Sequence, residues 1–144
     1  MTQAQIDLSF SSAVCYLDLV QDVSDNITKL IGFDEDARYW IGMSIRESVI
    51  NAIQHGNDED ESKTVGVCLT ASSDRLIVLV RDEGEGFDEE DLPDPTDSEN
   101  LLKPSGRGIF YVRSFMDDVS FARRPEGGLE VRMEKRLNSD KEKQ

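Results

Sequence analysis

The chain has 144 residues, enough for one ordinary domain with a single core. Its formal net charge of −14 argues against a nucleic-acid-binding surface, because phosphate contact needs clustered Lys and Arg. Its apolar runs reach about five residues, as over 76–80, where a membrane helix needs roughly 20, so we expect no membrane partner either.

The acidic balance fits a basic protein partner and equally fits simple solubility. The N-terminus has no basic segment followed by an apolar one, so no secretory leader is expected. Cys15 and Cys68 lie far apart inside apolar stretches and read as buried free thiols. That reading places the chain in a reducing compartment, the cytoplasm. No His/Cys cluster has the spacing of a zinc site.

In chain order, Ile6, Leu8 and Phe10 alternate with polar residues and predict a first strand. Between Ala13 and Ile31, Val14, Leu17, Val20, Val23, Ile27 and Leu30 recur every three or four positions. That spacing predicts an amphipathic helix, and Gly32 is placed to stop it. Asp34 opens a second helix, expected to run to about His55, with an apolar face of Ile41, Ile45, Val49, Ala52 and Ile53. The stretches 63–70 and 75–81 predict a hairpin turned by Ser72, Ser73 and Asp74.

Residues 88–105 contain Pro93, Pro95 and Pro104 and the acidic Glu89, Glu90, Asp91 and Asp94. A stretch of that length without periodicity predicts a lid or a disordered insert. A short helix over 108–116 and a closing hairpin, 119–122 with 129–134, follow. Residues 1–137 form one domain on this reading, and 138–144 a charged tail. Strands arriving as hairpins, with helices grouped on one face, define an α+β fold. The expected architecture is a two-layer sandwich with a mixed, mainly antiparallel sheet.

Three constellations carry chemistry. In ESVINAIQHGN, Glu47, Asn51 and His55 are spaced by four and stack on the helix face opposite Ile45 and Val49. A carboxamide oxygen is a hard ligand for magnesium, and a carboxylate one turn away can take a proton from a nucleophile. In VRDEGEGFD, Asp82 closes an apolar strand, and Gly84 and Gly86 let the backbone approach a flat ring. A carboxylate there can accept from an exocyclic amine such as that of adenine. In PSGRGIFYVRSFMDDV, Gly106 and Gly108 open a helix whose exposed N–H groups suit an anion, and Arg107 adds a charge. Each alone has a plainer reading, respectively a solvated stripe, a tight loop and a loop-to-helix turn.

In this order the three resemble the N, G1 and G2 boxes of the GHKL ATPases, the Bergerat fold. Within that superfamily the ESVINAIQHG and SGRGIFYVRSFMDDV runs are similar to those of the anti-sigma-factor serine kinases. The resemblance spans roughly residues 5 to 137. It implies ATP and Mg2+ as ligands, with Asn51 on the metal and Glu47 as the catalytic carboxylate. It implies adenine binding by Asp82, with Gly84 and Gly86 shaping the pocket, and phosphate contact by Gly106 and Gly108. His55 receives only a packing or phosphate-proximal role. One departure is Pro104, which stands where some relatives carry a basic residue before the Ser-Gly pair. Lys103 or Arg107 is left to supply that charge.

The resemblance implies a serine kinase that sequesters a sigma factor and phosphorylates a serine of a STAS-type antagonist. Two alternatives stand beside it: a nucleotide-binding module without kinase activity, and an isolated ATP-binding domain of a histidine kinase. The last lacks an upstream phosphoacceptor helix here, since the single histidine is His55. A homodimer through the N-terminal strand and first helix is expected, because sheet edges seek cover.

Overall fold

A computed structural model describes residues 3–84, 112 and 114–137. The element order begins with strand β1 (Ala4–Ser11), a 3-10 turn (Val14–Tyr16) and helix α1 (Leu17–Ile31). Helix α2 (Glu35–Asn51) follows and continues into a π turn (Ala52–Gly56). Strands β2 (Thr64–Ala71), β3 (Arg75–Arg81), β4 (Asp118–Arg123) and β5 (Leu129–Arg136) complete the described elements.

The strands form one sheet in the order β1-β2-β3-β5-β4, and all four pairings are antiparallel. Successive side chains of a strand point to opposite faces, so register decides which residues enter the core. Val65, Val67, Leu69 and Ala71 of β2 alternate inward with Leu76, Val78 and Val80 of β3, and all are buried. In the β3–β5 ladder Val78 lies opposite Met133, which is fully buried too. The two helices cover this face with Leu17, Val20, Ile27 and Ile31 from α1 and Ile41, Ile45 and Val49 from α2. The expected two-layer α+β sandwich is the one observed. Pairings among the described strands are antiparallel throughout and not mixed, because neighbours in the sheet run in opposite directions at every step.

Local signals explain where the helices begin and end. Asp34 caps α2 by accepting from the Ala37 N–H at 2.8 Å, and Glu35 and Asp36 favour the positive end of the helix dipole. Gly32 ends α1 with a φ of 109°.

Several expectations fail, each for a geometric reason. Leu30 is 73% exposed, because it precedes Ile31 by one position, a rotation of about 100° off the buried stripe. Val14 is exposed in the 3-10 turn, ahead of α1. Neither thiol is buried: Cys15 is exposed in that same turn, and Cys68 is half-buried on the sheet face away from the helices. The second helix keeps α geometry only to Asn51, short of His55. The expected lid, most of the 108–116 helix and the tail lie outside the described residues, although the Met116 N–H reaches the Val112 carbonyl at 2.9 Å.

Candidate functional site

Glu47 and Asn51 occupy the last two turns of α2, half-buried on the side opposite Ile45 and Val49. No described residue makes a hydrogen bond or ion pair to either side chain. Beyond Asn51 the helix widens by one residue per turn, and the Asn57 N–H donates to the Ala52 carbonyl at 2.9 Å, five residues back. Such single π turns concentrate at functional sites, because they re-aim the chain that follows. Here the turn carries Gly56 against the loop that leaves β3.

That loop is built around Asp82, which is 5% exposed. The hairpin of β4 and β5 holds it in place. Its N–H donates to the Leu129 carbonyl at 3.1 Å, and Arg124 Nη1 donates to its carbonyl at 2.6 Å. One carboxylate oxygen, Oδ1, accepts from both the Gly84 and Leu129 N–H groups, each at 3.0 Å. Among the described residues nothing donates to Oδ2. Burial pushes this carboxyl above its ordinary range, and the two backbone N–H groups, Arg124 and Lys63 offset part of the rise.

The backbone closes on this carboxylate with no room for side chains. A Cβ at Gly56 would overlap Asp82 Oδ2, and a Cβ at Gly84 would overlap the Gly56 carbonyl. A Cβ at Gly128, whose φ is 98°, would likewise overlap the Asp82 carbonyl. An acceptor oxygen with bare backbone on either side suits a flat ring that donates from an exocyclic amine. In this cradle Oδ2 is thus an acceptor of the kind an exocyclic amine such as that of adenine can use, and the carboxamide of Asn51, which no described residue engages, is an oxygen donor of the kind magnesium takes.

Of the residues singled out from the sequence, Asp82 and Gly84 share this loop, and α2 carries both Glu47 and Asn51. The end of α2 is joined to the loop through Gly56. Gly86, Lys103, Gly106, Arg107 and Gly108 lie outside the described residues, as do Pro104 and the acidic run at Glu89, Glu90, Asp91 and Asp94. His55 is exposed, so it takes no packing role. Sequence reasoning missed Gly56, Arg124 and the Leu129 N–H. Gly56 was visible in the run His55-Gly56-Asn57 as a glycine directly after a helix. The other two depend on the β3–β5 register, which no local pattern announces.

The profile of the family described as "Histidine kinase-like ATPase domain" matches residues 10–135. "Serine-protein kinase RsbW" of Bacillus subtilis (strain 168) is 28% identical over 132 residues, covering 88% of this chain and 81% of that protein. The protein of the same name from Staphylococcus epidermidis is 26% identical over 146 residues, 96% of this chain and 91% of its own. "Anti-sigma F factor" of Bacillus subtilis (strain 168) is 35% identical over 99 residues, 67% of this chain and 68% of its own. The chain belongs to the histidine kinase-like ATPase domain family.

Proposed function

We propose that this chain is an ATP-dependent protein serine kinase that also sequesters a sigma factor. Its phosphate acceptor is a serine on a STAS-type antagonist of that sequestration. The observation that carries the nucleotide reading is Asp82: a buried carboxylate with one oxygen fixed by two backbone N–H groups and the other facing Gly56. The similarity to proteins named serine-protein kinase and anti-sigma F factor supports the rest.

In this reading Asp82 accepts from the adenine amine, and Gly84 and Gly86 line the ring. Gly106 and Gly108 offer N–H groups to the phosphates, with Lys103 and Arg107 supplying charge in place of a basic residue at 104. Asn51 would hold the magnesium, which neutralises charge on the phosphates when bound. Glu47 accepts the proton of the serine hydroxyl as its oxygen bonds to the γ-phosphorus and ADP departs. Positioning and charge compensation supply most of the rate.

Two protein partners would compete for one surface, with the bound nucleotide setting the balance through differential affinity. The protein acts in the cytoplasm as a homodimer through β1 and α1. Support for the dimer comes from β1 at the sheet edge and from Val14 and Leu19, exposed in the turn and helix that follow it. No helix among the described residues is long and apolar enough to cross a membrane.

Calorimetry with magnesium and ATP tests the site. Wild type binds, and Asn51→Ala and Asp82→Asn, both folded, lose about tenfold or more in affinity, the worth of a hydrogen bond to a charged group. A well-folded wild type that binds no ATP removes the kinase reading. Glu47→Ala then separates a kinase from a nucleotide-binding module: it should bind ATP and lose about 10²–10⁴-fold in transfer of the γ-phosphoryl to the antagonist. If partner regulation survives Glu47→Ala in the presence of ATP, the module is the better description.

A further inference from the structure

The segment between the π turn and β2 buries one carboxamide completely. Asn57 is 0% exposed, and each polar group it carries has a partner. Its Nδ2 donates to Ser12 Oγ at 2.8 Å and to the Thr64 carbonyl at 3.1 Å. Its Oδ1 accepts from the Glu83 N–H at 2.7 Å. Its own N–H reaches back to Ala52, and its carbonyl accepts from the Asp60 N–H at 2.9 Å. Ser12 in turn donates to the Lys63 carbonyl at 2.8 Å, so the network is closed.

The next two residues show that this burial is imposed on the chain. Asp58 and Glu59 have φ angles of 52° and 57°, the left-handed region, and neither is glycine. Bonds from the Glu59 N–H to the Ile53 carbonyl at 2.7 Å and from the Lys63 N–H to the Asp60 carbonyl at 2.9 Å hold that conformation. Local strain persists where surrounding contacts over-determine it, often beside functional sites.

Glu83 is the link to function. It sits between Asp82 and Gly84, and it is tied twice: its N–H to Asn57, and its carboxylate accepting from the Thr64 N–H at 3.0 Å. The β4–β5 hairpin holds Asp82 from one side through Leu129 and Arg124. Asn57 holds the other side, and it is the residue directly after Gly56. One side chain thus fixes the end of the π turn relative to the loop it touches. Tenths of an ångström matter there, because Gly56, Gly84 and Asp82 already touch without side chains between them.

We infer that Asn57 is a positioning residue of the nucleotide site, pinning the Glu83 N–H so that Asp82, Gly56 and Gly84 keep the spacing that reads the base. The inference rests on Asp82 as the acceptor of the adenine amine. Its consequence is selectivity for adenine over guanine, because guanine presents a carbonyl where adenine presents the amine. Asn57 touches no nucleotide itself and acts through the loop.

The test measures the affinities of magnesium-ATP and magnesium-GTP by calorimetry, well below each variant's melting temperature. The proteins are wild type, Asn57→Ala, Asn57→Asp and Ser12→Ala. Asn57→Ala should lower the ATP-to-GTP affinity ratio about tenfold. Ser12→Ala also opens the buried network and lowers the melting temperature, but it leaves the Asn57–Glu83 bond in place, so the ratio should hold within about twofold. Asn57→Asp sets an oxygen against the Thr64 carbonyl and should lower the melting temperature, but it keeps the acceptor for the Glu83 N–H and should retain the wild-type ratio. Should Asn57→Ala not fold, Asn57→Ser replaces it, since its hydroxyl stops short of Glu83. An unchanged ratio in Asn57→Ala or Asn57→Ser overturns the inference and leaves the nucleotide site standing. Wild type that binds ATP and GTP equally overturns the inference too. Wild type that binds neither removes the nucleotide reading underneath it.

Discussion

Asp82 and Glu134 are both buried carboxylates, 5% and 4% exposed, and the fold treats them in opposite ways. Burial also works to raise the pKa of Glu134, but the guanidinium groups of Arg132 and Arg136, at 2.9 and 2.8 Å, outweigh it and hold it below its ordinary range. At Asp82 burial wins. The signs follow from linkage. As pH rises past the ordinary aspartate value, the unfolded chain releases its proton before folded Asp82 does, so stability falls until the raised native pKa is passed. Glu134 contributes stability above the ordinary glutamate value, and that contribution is lost as pH falls through its depressed native pKa. Thermal unfolding followed by circular dichroism checks both. Relative to wild type, Asp82→Asn should gain in melting temperature as pH rises past the ordinary aspartate value. Glu134→Gln should cost about 1 kcal/mol at neutral pH, since its arginine partners are largely solvated, and this cost should fade in acid. A carboxylate kept at a cost to folding is what the proposed binding role of Asp82 requires. If Asp82→Asn tracks wild type as pH rises, the carboxyl is not desolvated and the cradle loses its main argument.

Among the elements, those with strong periodicity were legible before folding. The alternation Val65, Val67, Leu69 gives β2 its inward face, and Ile41, Ile45 and Val49 give α2 its stripe, because each signal is local and repeated. Asp34 and Gly32 were equally readable as helix punctuation. The π turn was not. The sequence of residues 52–56 continues a helical pattern, and only tertiary contacts at Asn57 and Asp82 make the wider turn favourable. The same holds in part for Asp82 itself: its position at a strand end was readable and its Gly84 N–H donor is local, but its second donor, the Leu129 N–H, depends on β5 arriving in register. The π turn supplies its own test at Gly56. Alanine there is compatible with helix and removes no hydrogen bond, yet its Cβ would collide with Asp82 Oδ2. Gly56→Ala should leave the far-UV spectrum intact and weaken magnesium-ATP binding about tenfold or more, by shifting the acceptor away from its ligand. Unchanged affinity would mean that the turn and the loop separate freely, and that their contact does not shape the site.

For the molecule as a whole, charge and sheet edges set opposing demands. A net charge of −14 makes any two copies repel, and the repulsion is long-ranged at low salt. The two sheet edges are defended unequally. β4 carries Asp118 in an ion pair with Arg136 at 2.6 Å, whereas β1 has no Lys or Pro and Asp7 as its only charge. In the turn and helix after β1, Val14 and Leu19 are each 53% exposed, and the Tyr16 ring packs tilted against Phe10 of β1 with ring centroids 5.5 Å apart. The proposed dimer would cover this apolar end through short-range contact while the acidic surfaces oppose it. Association should therefore tighten as salt screens the repulsion, between about 0.05 and about 0.5 M. Replacing Val14 and Leu19 together with aspartate adds charge at the contact without touching the core. Sedimentation equilibrium at about 100 μM should then show monomer, with an unaltered far-UV spectrum and with salt no longer restoring the dimer. A dimer that survives the double substitution would place the interface elsewhere. One that weakens with salt would mean that ion pairs, and not apolar cover, hold it together.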